Sequence, residues 1–369
     1  NRMAWVIIDS GIEADHPAFA QRDEQGGLTN KSRVKATYDF TRIRQLLNPS
    51  NLTPHNENLP EYLKILLARE DSRARELQKD LQEFRRFLKR GRELDWELLE
   101  PLLQIPHNDN YVRPLNSHGT HVAGILAADW PEEGLHGMCP DLQLYDFRVL
   151  NDDGTGDEFN VIAALQFIRY LNATHDYMMI HGCNLSLSVR HDVANYACGR
   201  TPICEACDRV VSSAVLVVAA AGNNGYLKYK TAEGIAEGYN TVSITDPGNA
   251  ENVITVGATH RNKPHTYGVS YFSSRGPTGD GRIKPDLVAP GEKIEAPVPG
   301  GALARKDGTS MAAPHVSGAA AILMARYREL VGQPHRVKKI LCDTATDLGR
   351  EHYFQGKGML DVLRAIQSI

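Results

Sequence analysis

The sequence predicts an α/β fold, a three-layer sandwich in which helices cover both faces of a mostly parallel sheet. Three observations carry this. Apolar runs such as Ala4–Ile8 and Val215–Ala221 end in small-residue turns, as buried parallel strands do. Helical stretches separate them, among them Asn160–Asn172 and the alanine-rich run Ala312–Ala325. An aspartate, a histidine and a serine stand at such junctions, and open α/β sheets gather their active residues at the carboxyl edge.

At 369 residues, 42% hydrophobic and 23% charged, the chain is an ordinary globular one, with room for one large domain or two smaller ones. The net charge of −4 gives no pull towards nucleic acid or an anionic membrane. No apolar run reaches membrane-spanning length. Neither an internal repeat nor a low-complexity tract is present.

The first element is the strand Ala4–Ile8, which delivers the carboxylate of Asp9 into the turn Asp9-Ser10-Gly11. Further on, Glu61 to Leu103 reads as helix. Leu77, Leu81, Phe84 and Leu88 make one apolar stripe, with Arg73, Glu76, Lys79 and Asp80 among the charges around it. Gly91 breaks this stretch; a second helix starts at Asp95-Trp96 and is limited by Pro101. The reading is a helical insertion at about 42–110 in a domain spanning 1–369, either docked on it, binding a partner, or acting as a lid.

Asn116–Gly124 then opens a small-residue helix with His118 in its first turn. Leu142–Leu150 is a strand, followed by the turn cluster Asn151-Asp152-Asp153-Gly154-Thr155-Gly156. Its acidic residues also suggest a cation site, though without alternating ligand spacing. Asn184–Ser188 reads as a strand, and the strand Val215–Ala221 ends in Gly222 and the amide Asn223. Gly225–Asn249 is a long loop carrying Tyr226, Tyr229 and Tyr239, and Asn252–Ala258 is another core strand. In Gly308-Thr309-Ser310-Met311-Ala312-Ala313-Pro314-His315 the glycine permits a sharp turn into a helix. Ser310 then faces the positive end of that helix, where an oxyanion is favoured. Taken alone, Thr309 or Ser310 is equally a helix cap. Two amphipathic helices, Arg336–Asp347 and Met359–Ile369, close the chain.

Six cysteines form no tidy framework. Cys198, Cys204 and Cys207 cluster, which leaves open a Cys198–Cys204 disulfide, a zinc site completed by His191, or free thiols. Scattered free thiols favour a reducing, cytoplasmic compartment.

The segments Asp9-Ser10-Gly11, His118-Gly119-Thr120-His121-Val122-Ala123-Gly124 and Gly308–His315, in the order Asp, His, Ser, resemble the subtilisin-like serine proteases, or subtilases. The resemblance implies a subtilisin-like fold and a serine endopeptidase acting on polypeptides. It implies Asp9, His118 and Ser310 as catalytic residues and Asn223 as oxyanion donor. It also implies that Gly154, Thr155 and Gly156, Ser186, Leu187 and Ser188, and Ala220, Ala221 and Gly222 bind substrate. No cofactor is expected. Family members often hold calcium beside the first strand's loop, but here Ala18 and Pro131 stand where side-chain oxygens are wanted, and only Glu132 or Glu133 offers a substitute. A propeptide before Asn1 and a protein partner for the insertion are further expectations. Many members are secreted, which competes with the cytoplasmic reading. The stretch from Asp9 to His118 departs from the family by its length. A pseudoprotease or binding module whose insertion gates the cleft is the rival function. The sedolisin relatives, which use a glutamate as base, are opposed by His118.

Overall fold

A computed structural model describes residues 3–369, apart from residues 24, 54–56, 58, 60, 69–71, 91–93, 110 and 232–233. Eight strands form one sheet: β1 (Ala4–Asp9), β2 (Val34–Asp39), β3 (Gln104–Ile105), β4 (Gln143–Arg148), β5 (Gly182–Leu185), β6 (Leu216–Ala220) and, beyond a separate hairpin of β7 (Tyr226–Thr231) and β8 (Gly234–Tyr239), β9 (Ile254–Thr259) and β10 (Leu287–Pro290). Their spatial order is β10-β9-β6-β5-β1-β4-β2-β3, and every pairing is parallel except β3 with β2.

Strand β1 shows why the sheet is covered on both sides. All six of its residues are buried. Successive side chains of a strand point to opposite faces, and Val6 and Ile8 join one core while Trp5 and Ile7 join the other. The first core is roofed by α1 (Glu61–Leu67), α2 (Ser72–Lys89), α3 (Trp96–Leu103), α5 (Glu158–Ala173) and α6 (Pro202–Ser212). The second lies under α4 (His118–Ala127), α7 (Thr309–Arg326), α8 (Pro334–Asp343) and α9 (Val362–Gln367). This is the subtilisin-like three-layer arrangement. Among the described residues no helix is long and apolar enough to cross a membrane.

The helical stretch differs from the expected hairpin in detail. It forms three helices, and Asp95 caps α3 by accepting from the N–H groups of Glu97 and Leu98. Pro101 lies inside α3 rather than ending it, so the Glu97 carbonyl lacks its helical donor. Gly91 falls outside the described residues. Leu77, Leu81 and Phe84 of α2 and Leu99 and Leu102 of α3 belong to the same buried cluster as Val6 and Ile8. The stripe therefore faces the sheet's own core. Phe84→Ala is expected to destabilise the whole domain by about 3–5 kcal/mol, read by chemical denaturation, because the ring is fully enclosed. A loss under about 1 kcal/mol would show that the insertion folds apart from the sheet.

Two further expectations are corrected. Strand β5 stops at Leu185, leaving Ser186–Ser188 outside the ladder. The supposed loop after Asn223 contains the antiparallel hairpin β7–β8, where Tyr226 pairs with Tyr239 and their rings meet edge-on at 5.3 Å.

Candidate active site

Asp9 ends β1, His118 begins α4 and Ser310 is the second residue of α7, so all three stand at the carboxyl edge of the sheet. The buried Asp9 Oδ1 accepts hydrogen bonds from the Ser10 N–H and from His118 Nδ1, each at 2.7 Å. Its Oδ2 is buried without a hydrogen-bond partner among the described residues. The imidazole is oriented at its backbone too, since Asn116 Oδ1 accepts from the His118 N–H at 2.9 Å. Burial alone pulls the His118 pKa down. The charge of Asp9 and its hydrogen bond outweigh that, and the pKa stands above its ordinary value despite an opposing push from Lys306. That lysine lies in the strand Ala302–Lys306 and donates to Ser117 Oγ at 2.7 Å.

The turn that carries Ser310 is built from glycine and proline. Gly308 caps α7 at φ 151°, a backbone region side chains disfavour, and a Cβ there would stand 3.4 Å from Asn223 Nδ2. Four residues after Ser310, Pro314 has no N–H to return to the Ser310 carbonyl. Ser186 Oγ fills that role at 2.8 Å, while Ser310 Oγ donates back to the Ser186 carbonyl at 3.1 Å. Asn184 Nδ2 donates to Ser186 Oγ, and Ser317 Oγ donates to Asn184 Oδ1, which ties β5 to α7. The hydroxyl of Ser310 thus rests on Ser186 rather than on His118, a looseness usual for sites without substrate.

Asn223 follows β6. Its Oδ1 accepts from the Thr309 N–H at 2.9 Å and from Thr309 Oγ1 at 3.1 Å. With the oxygen held, the Nδ2 group is the donor left over, fixed in direction beside the turn that carries Ser310. Gly222 is drawn to the same threonine, its N–H donating to Thr309 Oγ1 at 3.1 Å.

A cleft of about 730 Å³ lies at His118, lined among others by Gly154–Gly156 and Ser186–Ser188. The residues 154–156 are exposed, and Gly156 bridges Leu150 across the turn. Ala220, Ala221 and Gly222, the other residues expected to touch substrate, are buried outside that lining. Asn116 and Lys306 also line the cleft and were not singled out from sequence. Asn116 is legible in hindsight as a polar residue two before a helix start. Lys306 is not, because its place depends on a strand pairing, Ile294 with Lys306, that no motif announces.

The three expectations for the cysteines resolve towards thiols, as all six are free. Cys204 and Cys207 are buried, and His191 Nδ1 is engaged by Asp246 Oδ2 at 2.9 Å. No group of metal-ligating side chains occurs among the described residues.

A model of the subtilase family matches residues 6–359. Subtilisin DY of Bacillus licheniformis is 33% identical over 259 residues, covering 70% of this chain and 81% of that one. Subtilisin of Bacillus pumilus is 32% identical over 267 residues, 71% of this chain and 82% of its own. Subtilisin E of Bacillus subtilis (strain 168) is 32% identical over 267 residues, and the match spans 59% of that relative's length. With that match and the edge-of-sheet geometry together, the chain belongs to the subtilase family of serine endopeptidases.

Proposed function

We propose that this chain hydrolyses peptide bonds in polypeptides, with Ser310 attacking the scissile carbonyl and His118 taking its proton. Asp9 holds the imidazole tautomer and stabilises the imidazolium. The Asn223 amide and the Ser310 N–H receive the oxyanion. An extended substrate lies between Gly154–Gly156 and Ser186–Ser188. The observation that carries this reading is the 2.7 Å contact of a buried Asp9 with His118, at the edge where Ser310 opens α7. Labelling with a fluorophosphonate tests it, since only an activated serine reacts. A folded chain that takes no label on Ser310 belongs instead to the gated, non-hydrolytic class.

Because His118 must be neutral to act as base, kcat/KM should fall on acidification. The midpoint is expected above the usual histidine value of about 6.5, since Asp9 favours the imidazolium. Lys306 disfavours that cation, so Lys306→Met should move the midpoint further up. A pH profile that stays put, or moves down, removes Lys306 from the account.

The family's calcium finds poor lodging here. Ala18 packs with Ala128 and Trp130 in an apolar cluster. The carboxylates near it already serve Arg22, whose Nε lies 3.0 Å from Asp129 Oδ2 and whose Nη2 lies 2.7 Å from Glu132 Oε2. A guanidinium thus occupies the acidic groups that an ion would need. Excess EDTA is expected to shift the melting temperature by less than about 2 °C, because only a tightly bound ion adds RT ln(1 + [L]/Kd). A drop of roughly ten degrees, restored by calcium alone, would sink this.

A further inference from the structure

We infer that the site selects an acidic side chain, glutamate or aspartate, at the residue whose carbonyl is cut. This rests on the endopeptidase reading and names its substrate class. Two cavities share Ser188 as a wall. One contains His118 and Gly154–Gly156 and is the cleft already described. The other, about 580 Å³, contains Asn224, the neighbour of the oxyanion donor Asn223. On this inference, the side chain of the residue that is cut lies in this second cavity, because the cavity shares Ser188 with the cleft and contains Asn224, next in sequence to Asn223.

That cavity accepts any side chain by size, so its lining decides. Arg190 is the charged side chain in the wall, His191 and the free thiol Cys198 are chargeable, and no aspartate or glutamate lines it among the described residues. Arg190 is exposed and has no acidic partner among the described residues. Behind the wall lies one buried carboxylate, Asp246. It accepts from His191 Nδ1 at 2.9 Å, Thr201 Oγ1 at 2.9 Å and Asn249 Nδ2 at 2.8 Å. These bonds take up its charge and hold the imidazole. The rest of the polar lining, including Ser243 and Thr245, is neutral. A carboxylate entering here meets a guanidinium able to bind it through two parallel N–H groups. A lysine meets only like charge, and an amide keeps the hydrogen bonds without the charge.

The test uses fluorogenic peptides identical except for glutamate, glutamine, phenylalanine or lysine before the cut. An exposed ion pair is worth under about 1 kcal/mol, but a bound peptide covers this one and a two-point guanidinium–carboxylate contact is stronger than a single one. The expected kcat/KM for glutamate exceeds that for glutamine by about tenfold, with lysine slowest, tenfold being about 1.4 kcal/mol. Arg190→Lys should keep the glutamate preference in reduced form, and Arg190→Glu should invert it in favour of lysine. The wild-type ratio is read first, so the answer does not wait on a variant folding. If Ser310 takes a fluorophosphonate label while glutamine or phenylalanine is cut as fast as glutamate, this inference is overturned and the endopeptidase reading stands. If neither label nor cleavage occurs, the endopeptidase reading falls and takes this one with it.

Discussion

Ser310→Ala is expected to lower kcat on the order of 10⁶-fold, a magnitude known from triad removal in subtilisin, a relative of this chain, rather than obtained from this geometry. The physical reason is that nothing nearby replaces the lost oxygen. Ser186 Oγ is committed to the Ser310 carbonyl, and Thr309 Oγ1 to Asn223. The fold should survive. Among the described residues the hydroxyl makes one hydrogen bond, to the Ser186 carbonyl, and such a bond contributes about 0.5–1.5 kcal/mol. Steady-state turnover together with thermal unfolding by circular dichroism checks both halves. A variant that retains a tenth of the activity would mean that another group is the nucleophile.

Asn223→Ala should cost about 10²–10³-fold in kcat with little change in KM, a figure that also comes from subtilisin. Here the structure adds a complication worth separating. Asn223 Oδ1 accepts two bonds from Thr309, so alanine removes an acceptor as well as a donor. Leaving the Thr309 N–H unpaired costs about 1–3 kcal/mol of stability if water cannot reach it. Asn223→Asp keeps the acceptor and removes the donor, while placing a negative charge where the oxyanion develops. Its kcat should fall at least as far as that of the alanine variant, with the unfolding midpoint higher. If instead KM rises and kcat holds in both variants, Asn223 binds substrate and does not stabilise the transition state.

The sheet and the four candidate site residues were legible because each sits where two simple patterns meet. Asp9 and Asn223 follow unbroken apolar runs, and His118 and Ser310 open helices of small residues. Buried parallel strands and close-packed helices leave little freedom for such runs to be anything else. What escaped depended on contacts far apart in sequence. Ser186–Ser188 reads as strand by alternation, yet the ladder stops at Leu185 and both oxygens of Ser186 turn to Ser310. The hairpin β7–β8 was hidden by its polar, tyrosine-rich face, although Tyr226–Thr231 does alternate. Lys306 was invisible for the same reason as the Arg22 ion pairs: charge on its own does not say what it faces. The third helix of the insertion was missed because the stripe from Leu77 to Leu88 dominates the pattern there.

The position of β1 within the sheet has a consequence in time. Its ladder partners are Gln143–Arg148 on one side and Gly182–Leu185 on the other, its aspartate holds a histidine borne on α4, and Ser310 is borne on α7. None of these arrives from the ribosome until long after β1 does. Parallel pairing across such spans closes large loops before any contact rewards the closure, and chains of this size pass through partly folded states. Each precursor shorter than α7 therefore carries Asp9 and His118 without Ser310, the nucleophile proposed above. On those proposed roles, proteolytic competence comes late in the life of the growing polypeptide, and copies that end before α7 are themselves unable to cut.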